Sequence, residues 1–273
     1  MQPTFDAHIH LWQRPYPGLS IGTLRSGSRD QLEMMLALMD RNGVQKACVV
    51  AACVTDNQDN HEFVAEVCSE RHDRLIMFSE IPLAGPRRDE LLDRSINRWP
   101  ARGFRYTVQN QTSQEQLTGT AMDAFWTKVN EAGLLVCLNY GPEHTVLLPP
   151  LVERWPKIRW ILDHLGQPRH DMTDAQYAPV LALARYPNVY VKVSGFYAFT
   201  ADSAEYPYPD VFRFVVALRD AYGPQRLMWA SDVPPVLEHS SYRQTYRCLE
   251  HIGQLGPSDR KWILGQAAEK LFA

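Results

Sequence analysis

Apolar positions along the chain follow two alternating rhythms. Short runs rich in β-branched and aromatic residues occur at 4–10, 46–52, 75–81, 103–108, 134–140, 158–164, 189–195 and 227–233. Each has the length and composition of a buried strand. Between and after them, apolar residues recur every three or four positions, at 29–44, 61–73, 88–99, 121–133, 147–156, 177–188, 209–223, 242–253 and 258–272. That spacing predicts helices, the first stopping at Asn42-Gly43, where glycine admits the left-handed turn that ends a helix. Strand then helix, eight times over, predicts a parallel sheet with right-handed crossovers. Eight such units in 273 residues predict an α/β fold, a (β/α)8 TIM barrel formed by one domain spanning 1–273. An open doubly wound sheet is the competing arrangement, but the first strand-to-helix turn has no GxGxxG. No Pro/Gly/Ser-rich linker divides the chain, and no close internal repeat occurs.

Composition narrows the function classes. Hydrophobic residues make up 45% and charged residues 22%, enough apolar material for a sizeable core, and the net charge of −3 gives no basic excess for nucleic acid or a membrane surface. The five cysteines (Cys48, Cys53, Cys68, Cys137 and Cys248) form no CxxC pair and read as free thiols. The chain shows no secretory signal pattern and no apolar run of the roughly 18 residues needed to cross a bilayer. The expectation is a soluble, cytoplasmic protein.

Candidate chemistry lies where the strands end. In "FDAHIH" (5–10), residues two apart share a face of a strand, so Asp6, His8 and His10 are expected to line one side. The third strand ends near Ser79 and Glu80, the fourth carries Arg105 and Tyr106, and the fifth ends in Asn139 and Tyr140. The sixth ends in Asp163 and His164, the seventh carries Lys192 and Ser194, and the eighth carries Ser231 and Asp232. Active sites of such barrels form at the C-terminal ends of the strands, so these residues are expected to converge. His61, His72 and His251 belong to helical patterns and are expected to face solvent. His144, His170 and His239 follow strands five, six and eight and rank as weaker candidates.

The segments "DAHIHLW", "GFRY", "LDHLGQP", "NVYVKVSG" and "LMWASDVP", in this order, together with the closing "ILGQAAEKLF", resemble the amidohydrolase superfamily in its amidohydrolase 2 branch. The resemblance runs from Asp6 to about Phe272. It implies a (β/α)8 barrel and either hydrolysis of a lactone or metal-dependent decarboxylation of an aromatic or unsaturated acid. Another ester, thioester or amide is a further hydrolytic target. It places His8, His10, His164 and Asp232 around the reacting carbonyl, with Lys192 and Arg105 facing the pocket. Arg105, Lys192 and Arg169 would hold an anionic substrate through their charge, with Tyr140 among the substrate contacts.

Two versions of the chemistry are open at this level. His8, His10 and Asp232 have the composition of a catalytic zinc site. Metal-dependent relatives usually add a histidine or lysine from strand four or five, where this chain has Arg105, Asn139 and Tyr140. That departure favours a metal-free version, with no cofactor. In it Asp232 activates water, and His8, His10 and His164 donate hydrogen bonds to the oxyanion. The loops at 13–28, with Arg14 and Tyr16, and at 196–210, with "AEYPYP", are expected to border the mouth and set the substrate. The outer helix faces are as compatible with a homo-oligomer as with a monomer.

Overall fold

The structure is a computed structural model, and it describes residues 1–15, 28–54, 57–108, 112 and 114–273. Eight parallel strands pair in sequence order: β1 (Phe5–Ile9), β2 (Lys46–Val50), β3 (Leu75–Glu80), β4 (Ala101–Thr107), β5 (Leu135–Asn139), β6 (Trp160–Leu162), β7 (Val189–Val193) and β8 (Leu227–Trp229). A bridge from Ile9 to Val233 brings the last strand back to the first, so the sheet closes as a (β/α)8 barrel. All eight expected strands are present, because each places one face in the barrel and the other against a helix, which only a nearly continuous apolar run satisfies.

Two packed layers result. Phe5, Ala7, Cys48, Val50, Phe78, Leu135, Cys137, Ile161 and Met228 fill the barrel, and Leu271 and Phe272 of the C-terminal helix close its N-terminal end. The Phe272 ring stacks on Phe5 at 5.1 Å and meets Phe78 edge-on at 5.8 Å. The alternate strand residues, among them Val49, Met77, Phe104, Leu138, Trp160, Val191 and Trp229, pack outward against the helices. Gly103 in β4 is required by this filling: a Cβ there would sit 2.7 Å from the Phe78 ring and 2.4 Å from the Leu135 carbonyl.

Helices form where predicted, with two instructive differences. The segment 258–272 is not one helix but Pro257–Lys261, a wider turn over Trp262–Gln266, and Ala267–Phe272. Thr4 presses into the break: its N–H donates to Leu264 O at 2.9 Å, and a Cβ on Gly265 would lie 1.9 Å from its hydroxyl. The segment 147–156 is likewise shortened to Leu148–Arg154, entered through a tighter turn over Pro142–Leu147.

Strand β1 also departs from expectation. Its register against β2 shifts between Asp6 and Ile9, so three residues of β1 span two of β2. Such a bulge moves the pleat by one residue. Phe5 and Ala7 point into the barrel, whereas Ile9 points to the helices. The expectation that Asp6 shares a face with His8 and His10 is therefore corrected. Asp6 is turned outward, accepting hydrogen bonds from Ser231 N–H at 2.9 Å and from the Tyr242 hydroxyl at 3.0 Å.

Candidate active site

At the C-terminal end of the barrel, β1 delivers His8 and His10, the β6 end delivers His164, and the β8 end delivers Asp232. His8 Nε2 lies 3.0 Å from His10 Nε2. Asp232 Oδ1 lies 3.8 Å from the first and 3.6 Å from the second. The His164 ring centre is 4.9 Å from that of His8, and its Nδ1 is 2.9 Å from Ser194 Oγ. The expected convergence of these four side chains is present.

Backbone geometry holds them there. Asp232 N–H donates to His8 O at 2.9 Å, and His10 N–H donates to Val233 O at 2.7 Å, which clasps the strand ends. Asp6 adds to the clasp by binding Ser231 next to Asp232. His164 and Asp232 both adopt left-handed backbone, at φ 48° and 63°. L-residues pay about 1 kcal/mol or more for that conformation, and such positions concentrate at functional sites.

Below the imidazoles lies a buried polar chain whose role the sequence did not reveal. Asp163 Oδ1 is 3.3 Å from His8 Nδ1, 2.9 Å from Lys192 Nζ and 2.9 Å from Cys137 Sγ. Asp163, Lys192 and His8 are all fully buried. Burial disfavours the Asp163 carboxylate, but the Lys192 ammonium and His8 outweigh it and hold its pKa well below the usual range. Lys192 is raised in turn, Asp163 overcoming the burial that would neutralise it. Lys192 thus does not reach the mouth; it supports the site from within the barrel, 3.1 Å from His8 Nδ1. The adjacency of Asp163 to His164 was the available signal.

Burial fixes the imidazole charges. It pushes His8 well below 6.5, helped by Lys192, and pushes His10 down to about 4, helped by Arg105. Both rings are therefore neutral at pH 7. His10 Nδ1–H donates to Val50 O at 3.0 Å, so its Nε2 is a bare lone pair. His8 Nε2 either donates to that lone pair or, with its proton on Nδ1 toward Asp163, presents a second one. In neither form do His8 and His10 both offer an N–H to an oxyanion, as the metal-free version requires.

The same geometry suits a cation. Three ligand atoms separated by 3.0, 3.6 and 3.8 Å have a common point about 2 Å from each, the bond length zinc makes to histidine nitrogen and carboxylate oxygen. Val50 O behind His10 and Asp163 behind His8 are the outer partners that orient metal-binding imidazoles. His8, His10 and Asp232 fit one divalent ion without a ligand from strand five. A second grouping, His8, Asp163 and His164, shares His8, but its Asp163 is already bound by Lys192.

The remaining candidates divide. Arg105 is 7% exposed and lines a cavity of about 670 Å3 with Asn139 and Glu80. Its Nη2 and Nε lie 2.7 and 3.1 Å from Glu80 Oε1. Tyr140, one residue past Asn139, falls on the outward side and is 1% exposed within the core between strands and helices. Arg169 is exposed and faces Asp171 at 3.2 Å, so it is not brought to the site. Arg14 is exposed near Asp59 at 3.5 Å, while Tyr16 lies outside the described residues. His72 and His251 are exposed as expected, but His61 is not. It is buried, stacked on Trp99 at 4.8 Å, with Nδ1 3.2 Å from Cys53 Sγ. His239 stacks on Tyr197 at 4.8 Å, and the Tyr197 hydroxyl donates to Asp232 Oδ2 at 2.8 Å. The loop at 196–210 therefore reaches the site through Tyr197. Tyr206 instead packs edge-on against Tyr208 at 5.8 Å and His251 at 5.9 Å. The five cysteines are free thiols, and no helix among the described residues is long and apolar enough to cross a membrane.

Comparison with known proteins agrees with this fold. An L-fucono-1,5-lactonase of Burkholderia ambifaria is 27% identical over 242 residues, covering 84% of this chain and 79% of the relative. A zinc-bound amidohydrolase structure from Burkholderia multivorans superposes with a TM-score of 0.82 at 22% identity, covering 99% of both chains. A probable 2-pyrone-4,6-dicarboxylic acid hydrolase from Acinetobacter baumannii, with citric acid bound, gives 0.77 at 18% identity over 100% of this chain and 99% of that one. The amidohydrolase family model of the amidohydrolase 2 type matches residues 5–273. From its strand-end histidine pair to its closing helix, the chain belongs to the amidohydrolase 2 family and is a hydrolase of that family.

Proposed function

We propose that the chain opens a lactone of a sugar acid or of a related ring. The observation that carries this reading is the meeting of two neutral imidazoles and one carboxylate around a single point, with the ring of a third histidine 4.9 Å from that of His8. The lactonase name of the curated relative supports the substrate class.

Asp232 takes the proton of the attacking water, and Tyr197 orients it by holding its Oδ2. As water adds to the lactone carbonyl, the ring C–O bond breaks. The leaving alkoxide then recovers the proton from Asp232, leaving a hydroxy acid. His164, steadied by Ser194, borders the carbonyl. His8 and His10, backed by Asp163 and Val50, hold the opposite side. A divalent ion held by His8, His10 and Asp232, zinc by its donor set, would polarise the carbonyl and ease water ionisation at neutral pH. The zinc-bound neighbour supports that assignment.

Acid release from L-fucono-1,5-lactone and related lactones tests the reading. Asp232→Asn is expected to lower kcat by about 10²–10⁴-fold, the usual share of a general base. Metal analysis of the purified protein is expected to find one divalent ion per chain. Carbon dioxide release from aromatic acids, with no lactone opened above the spontaneous rate, would replace this proposal with decarboxylation.

A further inference from the structure

The cations that the sequence offered for an anionic substrate each lie beside a carboxylate. Arg105 pairs with Glu80 at 2.7 Å, and the two side chains are only 9% and 16% exposed, so water screens the pair little. Lys192 is bound to Asp163 inside the barrel at 2.9 Å. Arg169 faces solvent beside Asp171. Arg87, which also lines the cavity, is 3.4 Å from Glu90. A substrate carboxylate brought to Arg105 would also be brought to Glu80, and repulsion would offset attraction.

What the Glu80–Arg105 pair leaves open is hydrogen bonding. Arg105 spends Nε and Nη2 on Glu80, and Nη1 has no hydrogen-bond partner among the described residues. Glu80 Oε1 faces Arg105 and, at 3.5 Å, the Thr107 hydroxyl. Glu80 Oε2 accepts one bond, from Cys53 N–H at 2.8 Å, and keeps acceptor capacity. A fixed donor beside a fixed acceptor is satisfied by a hydroxyl, which is both at once. The adjoining cavity of about 670 Å3 has room for a ring of several hydroxyls.

We infer that the Glu80–Arg105 pair is a subsite for substrate hydroxyls, and that the enzyme selects a neutral polyhydroxylated lactone over a ring-carboxylated one. The inference rests on the lactonase reading above and deepens it, and it departs from the anionic substrate expected from the sequence.

The test compares kcat/KM for a neutral sugar lactone and for 2-pyrone-4,6-dicarboxylate in the wild-type holoenzyme and in Glu80→Gln. Calorimetry with the matching polyhydroxylated lactam, a slowly opened analogue, runs beside it. Wild type is expected to prefer the neutral lactone by about tenfold or more. Glu80→Gln leaves Arg105 with net charge, so it should raise KM for the neutral lactone about tenfold and narrow or reverse the preference. A wild-type preference for the dicarboxylate overturns the inference, as does unchanged neutral-lactone KM in a folded Glu80→Gln. If no lactone is opened, the reaction reading fails on its own. Lactam binding lost in Glu80→Gln would still support the subsite, and absence of lactam binding to wild type would overturn it. Where Glu80→Gln does not fold, the wild-type preference and lactam affinity decide.

Discussion

The hydroxyl of Tyr197 and the carboxylate of Asp232 make one contact outside the motifs that bears on the proposed chemistry. Tyr197 holds Oδ2 at 2.8 Å, leaving Oδ1 toward the two imidazoles. A hydrogen bond to a charged group is worth about 1.5–3 kcal/mol. Tyr197→Phe is expected to lower kcat at least about tenfold while KM changes little, and steady-state kinetics on the preferred lactone check it. An unchanged kcat would remove Tyr197 from the positioning of Asp232. Glu80 makes a second residue-scale prediction. Burial raises its pKa, but Arg105 and the Cys53 N–H together outweigh burial and hold it below the usual 4.5. The stabilisation it gives is therefore complete above about pH 4.5 and is lost as pH falls through the lower, folded-state value. Denaturant titrations below pH 5 should show wild type losing stability more steeply than Glu80→Gln. Parallel acid limbs for the two proteins would contradict the ion pair.

At the scale of elements, β1 and the end of β8 act as one unit. The bulge in β1 separates the histidine pair from Asp6, which faces away from the cavity and receives His8 N–H at 3.2 Å, Ser231 N–H at 2.9 Å and the Tyr242 hydroxyl at 3.0 Å. Tyr242 is presented by the helix Tyr242–Arg247, which starts at the reciprocal capping box of Ser241 and Gln244. Three elements thus meet on one buried carboxyl group adjacent to the residues that carry the site. Asp6→Ala strands these donors, at about 1–3 kcal/mol for each buried donor left unpaired. The expected result is a stability loss of several kcal/mol by chemical denaturation, with reduced kcat in the folded fraction. Asp6→Asn, which keeps an acceptor for Ser231 and His8, should recover most of both. If Asp6→Ala matched wild type, the clasp would have no mechanical role.

Over the whole molecule, the two ends of the barrel have separate tasks. The C-terminal end gathers the candidate catalytic side chains, and the N-terminal end is sealed by Leu271 and Phe272 from the last helix. Phe272 is 8% exposed and touches the rings of Phe5 and Phe78. Truncating a buried phenylalanine costs about 3–5 kcal/mol, through lost transfer energy and the cavity left behind. Phe272→Ala is expected to lower the melting temperature by several degrees and leave the KM of the folded enzyme unchanged. A shift in KM without loss of stability would mean that the two ends communicate.

The sequence by itself determined the barrel, because eight apolar runs separated by helical periodicity have few other ways to bury both faces of every strand. It also named the four side chains that converge at the C-terminal rim, since polar groups at strand ends share one rim of a parallel barrel. Which polar residues face that rim was decided by tertiary structure. A one-residue bulge put Asp6 out of phase with His8 and His10, the two-residue alternation of β5 sent Tyr140 outward, and the β6–β7 pairing joined Lys192 to Asp163 across the buried interior. His61 looked like a solvent-facing helical residue and proved buried against Trp99, a partner from a distant segment. Charge followed the same rule. A sequence shows that Arg105, Lys192 and Arg169 are cations, but not that a carboxylate already lies beside each one. Pairing depends on distances of a few ångströms between residues far apart in the chain, and only the closed fold sets those distances.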